Sequence, residues 1–180
     1  MSMKKLVILD LDETLIYATK TSVGSEYFKV GDYFVYRREH LDDFLEFCNE
    51  YFQVGIWTSS TKNYAHKIVE EIATNIDISF IFSRESCVVT RDLERDTIVY
   101  IKDLKKIKRK GFNLDNVLVV DVSPEKLQRN YGNLIKVKPF FGEKDDELLQ
   151  LRKYLQNILD VSNFRTLEKR YWKRKSHEIN

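Results

Sequence analysis

Proline and glycine are scarce, at two and six residues out of 180. That scarcity excludes collagen-like repeats, linker-rich architectures and low-complexity disorder. Cysteine is equally rare: Cys48 and Cys87 cannot build a disulfide framework, and a reducing compartment is the simpler expectation. Net charge is nearly absent, since 30 Lys+Arg stand against 28 Asp+Glu. No whole-molecule basic field is therefore available for generic nucleic-acid binding. Long apolar runs are missing too. Leu6 to Leu9 is too short for a signal-peptide core or a membrane span. Together these absences predict an intracellular protein, cytoplasmic or nuclear, with no membrane partner.

What is present suffices for a core: 43% of residues are hydrophobic and 13% aromatic. At ~150 residues per domain the length predicts one domain. Leu6 to Leu9 and Val117 to Val120 are continuous apolar runs, the pattern of strands buried on both faces in a parallel sheet. Val54 to Trp57, Ile78 to Phe82 and Leu134 to Val137 read as further strands. Helical spacing links Leu41, Phe44, Leu45, Phe47 and Cys48. It also links Tyr64, Ile68, Val69 and Ile72, and a third set from Leu148 to Ile158 that opens on Asp145 and Asp146. Alternating strands and helices predict an α/β fold. Two stretches break the alternation and read as β-hairpins inserted in the main sheet: Tyr27 to Tyr36 around Gly31-Asp32, and Cys87 to Ile101 around 92–96. Residues 1–162 are expected to form the domain. Residues 163–180 read as a basic helix or tail, with Arg165, Lys169, Arg170, Lys173, Arg174 and Lys175 set among Tyr171 and Trp172. Such a segment suits an acidic, phosphorylated or nucleic-acid partner, although charge runs are commonly solvated surface.

In open parallel sheets, ligands bind beyond the carboxyl ends of the strands. The first run is followed by Asp10-Leu11-Asp12-Glu13-Thr14, and the second strand by Thr58-Ser59-Ser60. Lys102 follows Thr97 to Ile101, and Asp121 follows Val117 to Val120. Carboxylates gathered at one edge repel unless a cation intervenes, and Mg²⁺ prefers oxygen ligands while keeping several waters. A lysine and a hydroxyl at the same edge suit a phosphoryl group. Asp10 and Asp12 are two apart, so on an extended backbone they face one side. One can attack phosphorus while the other handles protons.

Asp10-Leu11-Asp12-Glu13-Thr14-Leu15 resembles the first motif of the haloacid dehalogenase (HAD) superfamily. The Glu after the second Asp resembles the branch holding the RNA polymerase II C-terminal-domain phosphatases and the small NLI-interacting-factor-like phosphatases. Arg38 with His40 to Leu45, Trp57-Thr58-Ser59-Ser60 with Tyr64-Ala65, Arg84 to Cys87, Tyr100 to Leu104, and Val120 to Pro124 continue the likeness, from about Lys5 to Leu159. The resemblance implies a HAD-type, Rossmann-like parallel sheet flanked by helices, with hairpin insertions. It implies Asp10 as nucleophile, forming an aspartyl-phosphate, and Asp12 as the acid that protonates the leaving alkoxide and then activates water. It implies Thr58 and Lys102 as phosphate-binding residues. Mg²⁺ would be held by Asp10, the main-chain carbonyl of Asp12, and Asp121. Arg84 is a candidate substrate contact. One departure bears on the metal: the family commonly carries Asn or Asp after the acid at Asp121, and here it is Val122.

The segments between Thr14 and Thr58 and between Thr58 and Lys102 are too short for a bulky lid. An open site admits a side chain presented by a large partner, so the expected substrate is phosphoserine or phosphothreonine in a phosphoprotein or phosphopeptide. The alternatives are a phosphatase of nucleic-acid ends or small phosphoesters, and a catalytically weak phosphate-recognising module. His40, His66 and His177 show no metal-ligand spacing and receive no role.

Overall fold

The computed structural model describes residues 4–175; His177 and the end of the basic tail lie outside them. In chain order the elements are β1 (Leu6–Leu9), β2 (Ile16–Thr19), β3 (Phe28–Val30), β4 (Tyr33–Arg37), α1 (Leu41–Tyr51), β5 (Gln53–Trp57), α2 (Lys62–Ile72) and β6 (Ile78–Phe82). There follow β7 (Val88–Asp92), β8 (Thr97–Ile101), α3 (Lys105–Arg109), β9 (Val117–Asp121), β10 (Leu134–Lys136), α4 (Glu147–Asn157) and α5 (Trp172–Lys175).

The central sheet has five parallel strands in the order β10-β9-β1-β5-β6. Successive side chains of a strand point to opposite faces, and both faces are covered. Val7, Leu9, Val54, Ile56, Leu118 and Val120 face the larger core with α1, α2 and α4, while Leu6, Ile8, Val117 and Val119 face a smaller one closed by Leu104, Ile107 and Leu127. This double burial is why β1 and β9 read as unbroken apolar runs. Gly55 lies where β5 passes β6, and a Cβ there would collide with the Phe80 ring, so the close approach requires glycine.

The register sets the functional edge. Leu9 pairs with Ile56 on one side and Val120 on the other. Asp10 is therefore level with Trp57 and Asp121, and Thr58 stands one residue beyond. The Asp10 N–H donates to the Val120 carbonyl at 3.0 Å, holding the chain in line past the end of β1.

The two insertions form sheets of their own, separate from the central one. The first hairpin is joined by β2 into a three-stranded antiparallel sheet, β2-β4-β3, and the second is a two-stranded ribbon, β7-β8. Lys102 thus reaches the central edge from the end of the ribbon. No large cap is present among the described residues. None of their helices is long and apolar enough to cross a membrane.

The basic segment folds back on the domain. Phe164 and Trp172 are buried in the larger core, and the Trp172 indole donates to the Lys136 carbonyl at 2.8 Å. Several of its cations have partners within the chain. Lys169 is buried on the Phe164 and Leu167 carbonyls, Arg170 pairs with Glu168, Lys173 pairs with Glu147, and Arg165 lies 3.9 Å from Asp115. Trp172 is therefore unavailable to a partner, whereas Tyr171 is exposed.

Candidate active site

Lys102 is fully buried, and its ammonium sits between two acids, 2.7 Å from Asp10 Oδ1 and 2.5 Å from Asp121 Oδ2. Three elements meet there: the ends of β1, β8 and β9. A buried charge survives only when paired and hydrogen-bonded, and this one meets both conditions. The Lys102 pKa is pushed well up; burial opposes the shift, and the two carboxylates outweigh it. Burial also works against the Asp10 carboxylate, but Lys102 together with the Thr14 hydroxyl, at 3.2 Å from Asp10 Oδ2, holds its pKa below the usual range. Asp121 shifts the other way, raised by burial and by the charge of Asp10. The backbone N–H of Ser123 donates to the Asp121 Oδ1 at 2.9 Å.

Asp12 lives differently. Its carboxylate accepts from the Ser60 hydroxyl at 2.8 Å and the Tyr64 hydroxyl at 2.6 Å. Burial raises its pKa and the nearby Asp10 charge adds to the rise, while the two hydroxyls partly offset them. Asp12 lines a cleft of about 330 Å³ with Ala18, Tyr33, Ser60, Tyr64 and Arg84. The turn that carries Asp12 is tight: the N–H groups of Thr14 and Leu15 both donate to the Leu11 carbonyl, and Glu13 takes a left-handed φ of 62°. Its N–H and carbonyl are clamped by Ile16 and Phe140.

Thr58 is buried at the end of β5. Its Oγ1 accepts the Ser60 N–H at 3.1 Å, and among the described residues its hydroxyl proton has no acceptor, so it can donate. Arg84 stands on the cleft wall with its Nε on the Ser59 carbonyl at 2.8 Å and its guanidinium over the Tyr100 ring. Hence Asp10, Asp121 and Lys102 form one contiguous knot, while Asp12 and Arg84 border the adjoining cleft.

The sequence profile of the NLI interacting factor-like phosphatases matches residues 5–165, nearly the whole domain. The chain belongs to this family. Relatives of it include Nuclear envelope morphology protein 1 of Saccharomyces cerevisiae, 29% identical over 192 residues, covering 92% of this chain and 42% of the yeast protein. The human CTD small phosphatase-like protein is 29% identical over 168 residues, covering 86% of this chain and 56% of its own. The chain thus spans about half the length of these relatives. In fold it is similar to the fission yeast RNA polymerase II CTD phosphatase Fcp1, solved as a variant with beryllium fluoride. The TM-score is 0.59 at 20% identity, over 91% of this chain and 53% of that one. The HAD-like fold and this branch of it are as the motifs led one to expect.

In this member of the family the donor set at the sheet edge is hard oxygen throughout. Among the described residues no three His, Cys, Asp or Glu side chains gather as a metal cage. Asp10 and Asp121 offer carboxylates that share the Lys102 ammonium at the sheet edge. Two carboxylates completed by a carbonyl and water suit Mg²⁺, which is reluctant to give up its water shell. Val122 supplies no oxygen; it packs, partly buried, against the larger core.

Two groups carried no individual signal in the sequence. Ser60 and Tyr64 lie within the motif-bearing stretch, yet nothing marked them as partners of Asp12. The spacing of Ser60 and Tyr64, four apart at a helix start, is the cue that could have found them.

Proposed function

We propose that this protein is a Mg²⁺-dependent phosphatase acting on phosphoserine or phosphothreonine in proteins through an aspartyl-phosphate on Asp10. The observation that carries the reading is the Lys102 ammonium wedged between Asp10 and Asp121 at the sheet edge. It keeps one carboxylate ionised and places a positive charge where phosphoryl oxygens would lie. In the first step Asp10 attacks phosphorus and the bond to the substrate alkoxide breaks, with Asp12 giving that alkoxide its proton. In the second step Asp12 takes a proton from water, which attacks phosphorus and frees Asp10 and inorganic phosphate. Thr58, with its hydroxyl proton uncommitted, and Lys102 hold the phosphoryl oxygens as charge spreads over them. Asp10, Asp121 and the Asp12 carbonyl would hold Mg²⁺, which supplies neutralising charge to the phosphoryl group. Arg84 would contact the substrate from the cleft wall. The absence of a large cap supports a substrate presented on a bulky partner, and the CTD phosphatase names of the relatives support a phosphoprotein. The phosphatase domain would occupy residues 1–162, with the following basic segment packed on it through Phe164 and Trp172.

The test is p-nitrophenyl phosphate hydrolysis by wild type and Asp10→Asn, with Mg²⁺ and with EDTA, followed by phosphopeptides against sugar phosphates. Metal-dependent turnover lost in the variant, with phosphopeptides preferred, is the expected result. Phosphate binding without turnover would replace this reading with a recognition module. Efficient sugar-phosphate hydrolysis without phosphopeptide activity would remove the substrate assignment.

A further inference from the structure

Lys126 lies outside every motif, yet the fold fastens it to the site. Its carbonyl accepts the backbone N–H of Lys102 at 2.8 Å, and its own N–H donates to the Ser123 carbonyl at 3.1 Å. The next residue, Leu127, is buried in the smaller core and pins the turn. The side chain therefore springs from the same wall as the Lys102 knot, and it is only half-buried.

Its positive charge acts on Asp10, Asp12, Glu13 and Asp121, favouring the ionised form of each. These acids come from two separate segments, after β1 and at the end of β9. With its backbone tied to that of Lys102, the ammonium stands within electrostatic reach of acids on both segments. Among the described residues the Lys126 ammonium forms no ion pair with any carboxylate. The neighbouring cations each have a protein partner: Lys102 bonds Asp10 and Asp121, the Arg84 Nε bonds the Ser59 carbonyl, and Arg129 pairs with Asp103.

Charge balance shows what such a cation is for. Asp10, Glu13 and Asp121 bring at most three negative charges to the space, since burial favours the protonated form of Asp12, and Lys102 with the Mg²⁺ proposed above would offset them. A phosphomonoester brings a further charge of about −1.5 to −2 at neutral pH. That added charge is left without a counter-charge unless another cation meets it. A free ammonium is a strong point-charge partner for phosphate.

We infer that Lys126 is a second phosphate-binding cation, donating to the phosphoryl oxygens of a dianionic phosphomonoester beside Lys102. The inference rests on the phosphatase reading of the site and adds a binding residue to it. Lys126 acts on affinity, so its removal appears in phosphate binding and KM before it appears in kcat.

The experiment titrates inorganic phosphate into wild type, Lys126→Gln and Lys126→Arg at fixed Mg²⁺, followed by ³¹P NMR, with KM and kcat for p-nitrophenyl phosphate measured alongside. Loss of one charge-assisted bond predicts about tenfold or more weaker phosphate binding in Lys126→Gln. Lys126→Arg should recover most of it, which also shows that the position tolerates replacement. Equal phosphate affinity in wild type and Lys126→Gln would overturn the inference while leaving the phosphatase reading intact. Phosphate binding that depends on Lys126 without hydrolysis by wild type would uphold the inference and remove the phosphatase reading. No phosphate binding by wild type would overturn both.

Discussion

Asp10 and Asp12 are separated by one residue and occupy opposite electrostatic settings. Asp10 belongs to a dry knot in which Lys102 and Thr14 hold it ionised. Asp12 faces a cleft, bonded only to neutral hydroxyls, and burial favours its protonated form. Neighbouring carboxylates whose environments push their pKa values apart are suited to different tasks, one as a nucleophile and one as a proton donor. The difference arises from topology. A buried lysine delivered by the β7-β8 ribbon reaches only the first acid, while the start of α2 reaches only the second.

Perturbing each half should give distinct results. The largest effect is expected for Asp10→Asn, which removes the attacking group; kcat for p-nitrophenyl phosphate should fall by about four orders of magnitude or more. Asp12→Asn should lower kcat by about 10²–10⁴-fold, the range of general acid–base catalysis. It should also reshape the pH profile. In wild type, kcat/KM should fall on the acid side as Asp10 protonates below its depressed pKa. It should fall on the basic side as pH rises through the elevated pKa of Asp12, and the variant should lack that upper limb.

Lys102→Met should strike the knot itself, leaving Asp10 and Asp121 buried without their cation. Removing one partner of a buried pair costs about 3–5 kcal/mol, readable by urea unfolding in EDTA. Both acids would then have folded-state pKa values above their unfolded ones. Their protonated forms favour folding, so the deficit should shrink as pH falls and grow as pH rises through those values. The smallest effect is expected for Tyr64→Phe, with kcat changing less than about tenfold. The lost hydrogen bond had favoured the ionised form of Asp12, so the upper limb should move to higher pH. Movement to lower pH would break the assignment of that limb to Asp12.

Legibility followed burial and chain distance. β1 and β9 were readable because both faces of the central sheet are covered, which writes continuous apolar runs. Asp10, Thr58 and Asp121 were readable because each follows such a strand. Lys102 was assigned to the same edge, and it is there, but it arrives from a ribbon outside the central sheet. No local pattern distinguishes those two routes. β2 was missed, since Ile16–Thr19 runs into a polar stretch and becomes a strand only by pairing with β4, many residues later. Tyr171 and Trp172 sit side by side among the basic residues in the sequence, but the core covers only Trp172, whose indole donates to the Lys136 carbonyl. Long-range contacts of this kind leave no periodicity behind.

The most direct test of the account is to mix wild type with a phosphorylated substrate and Mg²⁺, quench in acid within the first turnover, and map the digested protein by mass spectrometry. The account predicts one phosphoryl group on the peptide that begins the site, at Asp10, and none there in Asp10→Asn. Steady hydrolysis with no phosphoryl group on Asp10, or hydrolysis that survives in Asp10→Asn, would contradict it.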